Sequence, residues 1–161
     1  MPAGNFTEFV AAGAGNIEYY DLQARTSLLT SGQTTYNNLS ISNKTATTFT
    51  VVQNHNLTLN GSLSLSATSS GNIVYQLSNT ASAKTLSVGA NLTVSAGCSL
   101  TVGTDNAAHN LTIAGNFTNS GFVRLTNSAV NATTPSNGYC NTTFTGPVSN
   151  TVVQCNSGSQ T

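Results

Sequence analysis

The tetrapeptide Asn-Leu-[Ser/Thr]-[Ile/Leu/Val] occurs four times, at Asn38–Ile41, Asn56–Leu59, Asn91–Val94 and Asn110–Ile113. A recurring unit this short cannot bury its apolar side chains alone, so it must stack on its own copies. The first two copies, like the last two, are offset by about 18 residues, the spacing of a strand repeat. The second and third copies stand close to twice that distance apart. The skipped position falls near Asn72-Ile73-Val74-Tyr75, which reads as a degenerate copy. Within each copy apolar and hydroxyl residues alternate, the period-2 signature of a strand with one buried face.

Further alternating runs lie between the copies: Ser62–Leu65, Thr85–Val88, Ser99–Val102 and Phe122–Leu125. Gly61, Gly89, Gly97, Gly103, Gly115 and Gly121 punctuate them, at places expected to need a turn residue with free φ. Helix signals are almost absent, Asp21 to Leu29 alone reading as a short helical turn. The expected fold is all-β, a parallel β-helix (solenoid) with coils of about 18 residues. Leu39, Ile41, Leu57, Leu59, Leu92, Val94, Leu111 and Ile113 are its expected inward positions. An antiparallel sandwich is the competing fold, but similar strands at constant phase favour the solenoid.

Composition fits such a stacked wall. Ser, Thr and Asn fill 67 of the 161 positions, while charged residues make up only 5% and the net charge is zero. Four cations, Arg25, Lys44, Lys84 and Arg124, are spread widely along the chain and leave no basic footprint for nucleic acid. No apolar run is long enough for a membrane span, and the first residues do not read as a signal peptide. Asn suits left-handed turns and can form side-chain ladders between coils.

The stretches Gly15-Asn16-Ile17-Glu18-Tyr19-Tyr20 and Gln33-Thr34-Thr35-Tyr36-Asn37-Asn38-Leu39-Ser40-Ile41 resemble repeat modules of large exported Bacteroidota surface proteins. Ile113-Ala114-Gly115-Asn116-Phe117-Thr118-Asn119-Ser120-Gly121-Phe122 is similar to a turn of the same modules. The resemblance covers roughly residues 10–128 and extends to filamentous-haemagglutinin-type β-helices. It implies export, a passive or adhesive role at the cell surface, and tandem copies in one chain. The apolar spacer from Asp21 to Ser31 and the C-terminal cysteines depart from the pattern.

Little in the sequence supports catalysis. The acidic residues are Glu8, Glu18, Asp21 and Asp105, so the paired carboxylates or calcium ligands of polysaccharide-cleaving β-helices have few sources. Glu18, Asp21 and Arg25 read as a local ion pair rather than an acid–base cluster. His55 and His109 each precede a copy of the repeat, three of the expected coils apart, too far to share a metal or a proton. Three cysteines and two distant histidines lack zinc-site spacing, so no metal or cofactor is expected. Cys98 reads as a small buried residue. A Cys140–Cys155 disulfide would close a loop contributing roughly 3 kcal/mol through chain entropy.

Ten sequons are candidate glycosylation sites: Asn5, Asn38, Asn43, Asn56, Asn60, Asn91, Asn110, Asn116, Asn131 and Asn141. Composition alone predicts roughly six such triplets, so the excess is small. Ice binding would need Thr residues recurring at one phase, and Thr34-Thr35, Thr47-Thr48 and Thr142-Thr143 do not share one in a frame of the expected length.

Residues 1–128 are thus expected to form the repeat region with an N-terminal cap, and 129–161 an irregular C-terminal cap. The expected role is an extracellular or cell-surface structural and adhesive module without enzymatic activity. Its partners would be copies of itself, neighbouring repeats of a longer chain, or surface glycans. A glycosylated self-associating filament subunit and a carbohydrate-binding or polysaccharide-degrading β-helix are the alternatives.

Overall fold

A computed structural model describes residues 11–20, 26–28, 32–68, 70–104, 106–127, 138–146 and 152–154. Every element among them is a strand, and the strands form three parallel sheets. Sheet A stacks β1 (Asn16–Tyr20), β4 (Asn38–Asn43), β7 (Leu63–Ala67), β10 (Leu92–Val94), β13 (Phe117–Asn119) and β16 (Val152–Gln154). Sheet B stacks β2 (Thr26–Leu28), β5 (Phe49–Val52), β8 (Ile73–Ser78), β11 (Cys98–Gly103) and β14 (Phe122–Arg124). Sheet C stacks β3 (Thr35–Tyr36), β6 (Leu57–Leu59), β9 (Thr85–Val88), β12 (Ala108–Ile113) and β15 (Tyr139–Phe144). Each sheet takes every third strand of the chain, so the backbone winds as a parallel β-solenoid, as the alternating repeats led us to expect.

The coil is longer than the tetrapeptide spacing suggested. One column of sheet A runs Ile17, Leu39, Leu63, Leu92, Phe117, each residue beside the one before it on the neighbouring coil. A full turn therefore takes roughly 25 residues, within the usual range of solenoid repeats. The shorter interval between tetrapeptides is instead the step from one sheet to another within a coil. Asn38–Ile41 and Leu92–Val94 lie in sheet A, whereas Leu57–Leu59 and Leu111–Ile113 lie in sheet C. Ile73–Tyr75 belongs to sheet B and stacks on neither pair. The same tetrapeptide serves two faces because a half-buried strand asks the same alternation of each.

Inward side chains form columns along the axis. The pairs Leu39 and Ile41, Leu57 and Leu59, Leu92 and Val94, Leu111 and Ile113 are at most 1% exposed. They join Phe49, Ile73, Tyr75, Leu86 and Leu100 in one continuous core. Burial of each large apolar side chain contributes about 1.5–3 kcal/mol, and identical side chains stacked about 4.8 Å apart leave little void. Cys98 fills the sheet B column between Ile73 and the next coil and is buried, as its place in the sequence indicated.

The core also holds polar groups. The Tyr75 hydroxyl donates to Gln53 Oε1 at 3.0 Å, and Gln53 Nε2 donates to the carbonyls of His55 and Thr85 at 2.7 Å each. Burial raises the Tyr75 phenol well above its ordinary range, so the hydroxyl remains a donor. Gln53 lies at a corner where its side chain ties sheet B to sheet C across two coils.

Three expectations change. Thr26–Leu28, within the segment read as a helical turn, is a strand paired with Thr50–Val52. The solenoid does not stop at residue 128, since β15 pairs with β12 and β16 with β13. Most punctuating glycines answer to close approach rather than to free φ. A Cβ on Gly89 would lie 2.5 Å from the Asn60 carbonyl oxygen, and one on Gly115 2.6 Å from Asn91 Oδ1. Gly97 and Gly103 are the two in the punctuating set with positive φ, at 77° and 98°.

Candidate functional site

The corners between strands explain the recurrent Asn. A side chain at the corner of one coil accepts the backbone N–H of the next. Asn38 Oδ1 accepts from Ser62 at 2.8 Å, Asn56 Oδ1 from Thr85 at 3.0 Å, and Asn91 Oδ1 from Asn116 at 2.9 Å. Ser62 Oγ accepts from Asn91, Thr48 Oγ1 from Asn72, and Asn54 Oδ1 from Asn79 in the same manner. Asn54 alone among the described non-glycine residues adopts a left-handed φ, 53°. These bonds satisfy donors that the sheet ladder leaves over where the chain turns.

The outward columns of sheets A and C are built of short side chains and, Glu18 apart, are uncharged. In sheet C, Thr35, Thr58, Ser87, Thr112 and Thr143 stack in one line. Beside it stand Thr85, Asn110 and Asn141. Sheet A carries Ser40, Ser64, Thr93 and Thr118 in line behind Glu18. Thr35 and Thr143 therefore do share a phase, contrary to the expectation from the shorter frame, because the true coil brings them onto one face.

The acidic and histidine candidates do not converge. Glu18 accepts a hydrogen bond from Ser42 Oγ at 2.6 Å, while Glu8, Asp21, Arg25 and Asp105 lie outside the described residues. His55 and His109 both belong to the sheet C edge, on coils two steps apart rather than three, with Lys84 on the coil between them. Buried His109 accepts the Lys84 N–H through Nδ1 at 3.1 Å. Both His55 ring nitrogens are buried without a well-formed hydrogen bond. Desolvation lowers its pKa against the pull of the nearby Gln33 and Gln53 carbonyls. Among the described residues, no three His, Cys, Asp or Glu side chains gather as metal ligands. No helix among them is long and apolar enough to cross a membrane.

Of the sequon asparagines, Asn56, Asn60, Asn91, Asn110, Asn116 and Asn141 are exposed and Asn38 is half-buried. Asn43 is not a glycan site in the folded chain. It is fully buried, and its Nδ2 donates to the Thr47 carbonyl at 2.8 Å and the Asn72 carbonyl at 3.3 Å. Asn5 and Asn131 lie outside the described residues, as does Cys155. Cys140 is a half-buried thiol on sheet C, pushed up to about 11 by burial.

A concave place lies among the described residues. At the corner between sheets A and B a cleft of about 320 Å³ lies among Asn72, Gly97, Ser99, Ser120, Gly121 and Phe122. Phe122 projects outward beside Ser99, at 46% exposure, while Val123 takes the core position next to Leu100. Alternation alone did not reveal that phase. The available signal was Gly121, after which the outward place held by Thr50, Val74 and Ser99 on earlier coils is aromatic. No protein-family model matches the chain, nor does any curated protein or solved structure.

Proposed function

We propose that the chain is a structural and adhesive module of an extracellular or cell-surface protein, acting by surface presentation rather than catalysis. The observation carrying this reading is the pair of outer faces, sheets A and C, paved by Ser, Thr and Asn in coil-to-coil register. Such faces offer hydrogen bonds without charge repulsion between identical phases, which suits close contact with hydroxylated surfaces or like modules. The Bacteroidota surface repeats that the sequence resembles supply the same expectation, with copies of the chain, neighbouring repeats or glycans as partners.

The test is attachment. Beads coated with the purified chain are expected to adhere to polysaccharide-coated surfaces, and to do so at about 1 M salt, because little charge is involved. Adhesion no greater than that of beads bearing an uncharged control protein would overturn the reading. Electron microscopy of the same preparation separates a filament from a dispersed monomer and so decides whether copies of the chain are among its partners.

A further inference from the structure

The cleft at the corner of sheets A and B differs from the clamped corners in what its side chains leave undone. At those corners the residue of one coil accepts the N–H of the next, as Thr48 does for Asn72. In the following coil the position next to Asn72 is Gly97, whose carbonyl accepts the Ile73 N–H and whose φ of 77° turns the chain away. The clamp is absent there. Neither the Asn72 carboxamide nor the Ser99 and Ser120 hydroxyls have a hydrogen-bond partner among the described residues. Gly97 and Gly121 line the hollow with backbone, and Phe122 lines it beside Ser99.

We propose that this cleft binds one ring of a neutral hexose, stacked on Phe122 and hydrogen-bonded by Asn72, Ser99 and Ser120. A sugar ring has an apolar C–H face and an equatorial belt of hydroxyls. It therefore asks for an aromatic platform beside uncharged groups that both donate and accept, and the cleft supplies both. The lining carries no charge, so it has nothing to pair with a phosphate, sulfate or carboxylate. Its volume sits at the lower end of small-molecule sites, enough for a monosaccharide unit and not for a large cofactor. The proposal deepens the adhesive reading by giving it a ligand class and a place.

The experiment is an NMR titration of the full chain with methyl glycosides of glucose, galactose and mannose, and with N-acetylglucosamine. At least one of the four is expected to bind with an affinity of about 1 mM, shifting amide signals of Gly97 to Ser99 and Ser120 to Phe122. Phe122→Ala should weaken binding about tenfold, and Asn72→Ala by a similar factor, whereas Phe144→Ala should leave it unchanged. Asn72→Ala also serves if Phe122→Ala does not fold. No shift with any of the four sugars, shifts centred elsewhere, or undiminished affinity in both cleft variants would overturn the proposal. Beads that adhere while the cleft ignores all four sugars would refute the cleft and leave the surface role standing. Sugar binding on beads that do not adhere would do the reverse.

Discussion

Asn91 and Asn110 open two copies of one tetrapeptide, yet truncating them should have different consequences. Asn91 Oδ1 accepts the Asn116 N–H of the next coil at 2.9 Å. The Asn110 side chain has no hydrogen-bond partner among the described residues, and the residue pairs with Asn141 through the backbone ladder alone. Both are exposed, so neither truncation opens a cavity. Asn91→Ala removes one net hydrogen bond and should cost about 1 kcal/mol. For a chain of this length that is a fall of roughly 2–4 °C in Tm. Asn110→Ala should stay within about 0.5 kcal/mol of the parent. Asn91→Asp, which keeps an acceptor, should recover most of the loss. The assay is urea unfolding followed by far-UV circular dichroism, comparing midpoints at constant slope. Equal losses at the two sites, or no loss at Asn91, would refute the idea that corner side chains hold successive coils together.

Gly89→Ala should destabilise the fold by about 1–3 kcal/mol, since the new Cβ meets a backbone carbonyl that cannot step aside; an unchanged urea midpoint would contradict the close-packed corner. The Cys98 thiol, pushed up to about 11 by burial, should react with a thiol reagent at about pH 8 far more slowly in buffer than in denaturing urea. Comparable rates in the two conditions would mean that the core opens freely. His55 has a depressed pKa in the folded chain, so the unfolded chain binds the proton more readily. Stability should therefore be full above about pH 6.5 and decline as the pH falls through it. The urea midpoint measured at about pH 8 and about pH 5 checks this, and His55→Leu should reduce the difference.

The inward residues were legible because period-2 alternation fixes which side of a strand faces the core, whatever sheet it joins. That is why Leu57, Leu92 and Ile113 could be placed inside before their neighbours were known. The coil length was not legible. Sheets A and C use one tetrapeptide, so the interval from Asn38 to Asn56 looks like a full turn when it is a step between faces. Corner segments also vary in length. The coil from Leu39 to Leu63 is visibly shorter than the one from Leu63 to Leu92, and a period blurred in this way is hard to recover. Buried Asn43, Gln53 and His109 were missed for a different reason. Polar residues read as surface until a structure shows the groups that receive them. The cleft was hidden because its defining features are a glycine where a clamp would stand and an outward Phe122.

The corner clamps also have a direction. At Asn38, Thr48, Asn54, Asn56, Ser62 and Asn91 the earlier coil supplies the oxygen and the later coil the N–H. The sense is reversed at Gly13 and Lys84, which donate to Asn37 Oδ1 and His109 Nδ1 of the coils that follow. A chain emerging from a ribosome N-terminus first thus meets a ready acceptor at most corners as a new turn arrives. Growth can proceed one coil at a time on a finished template, each new strand pairing with the coil just laid down. For a parallel sheet, otherwise slow to assemble because its partners are distant in sequence, that turns a search over the whole chain into a series of short local ones.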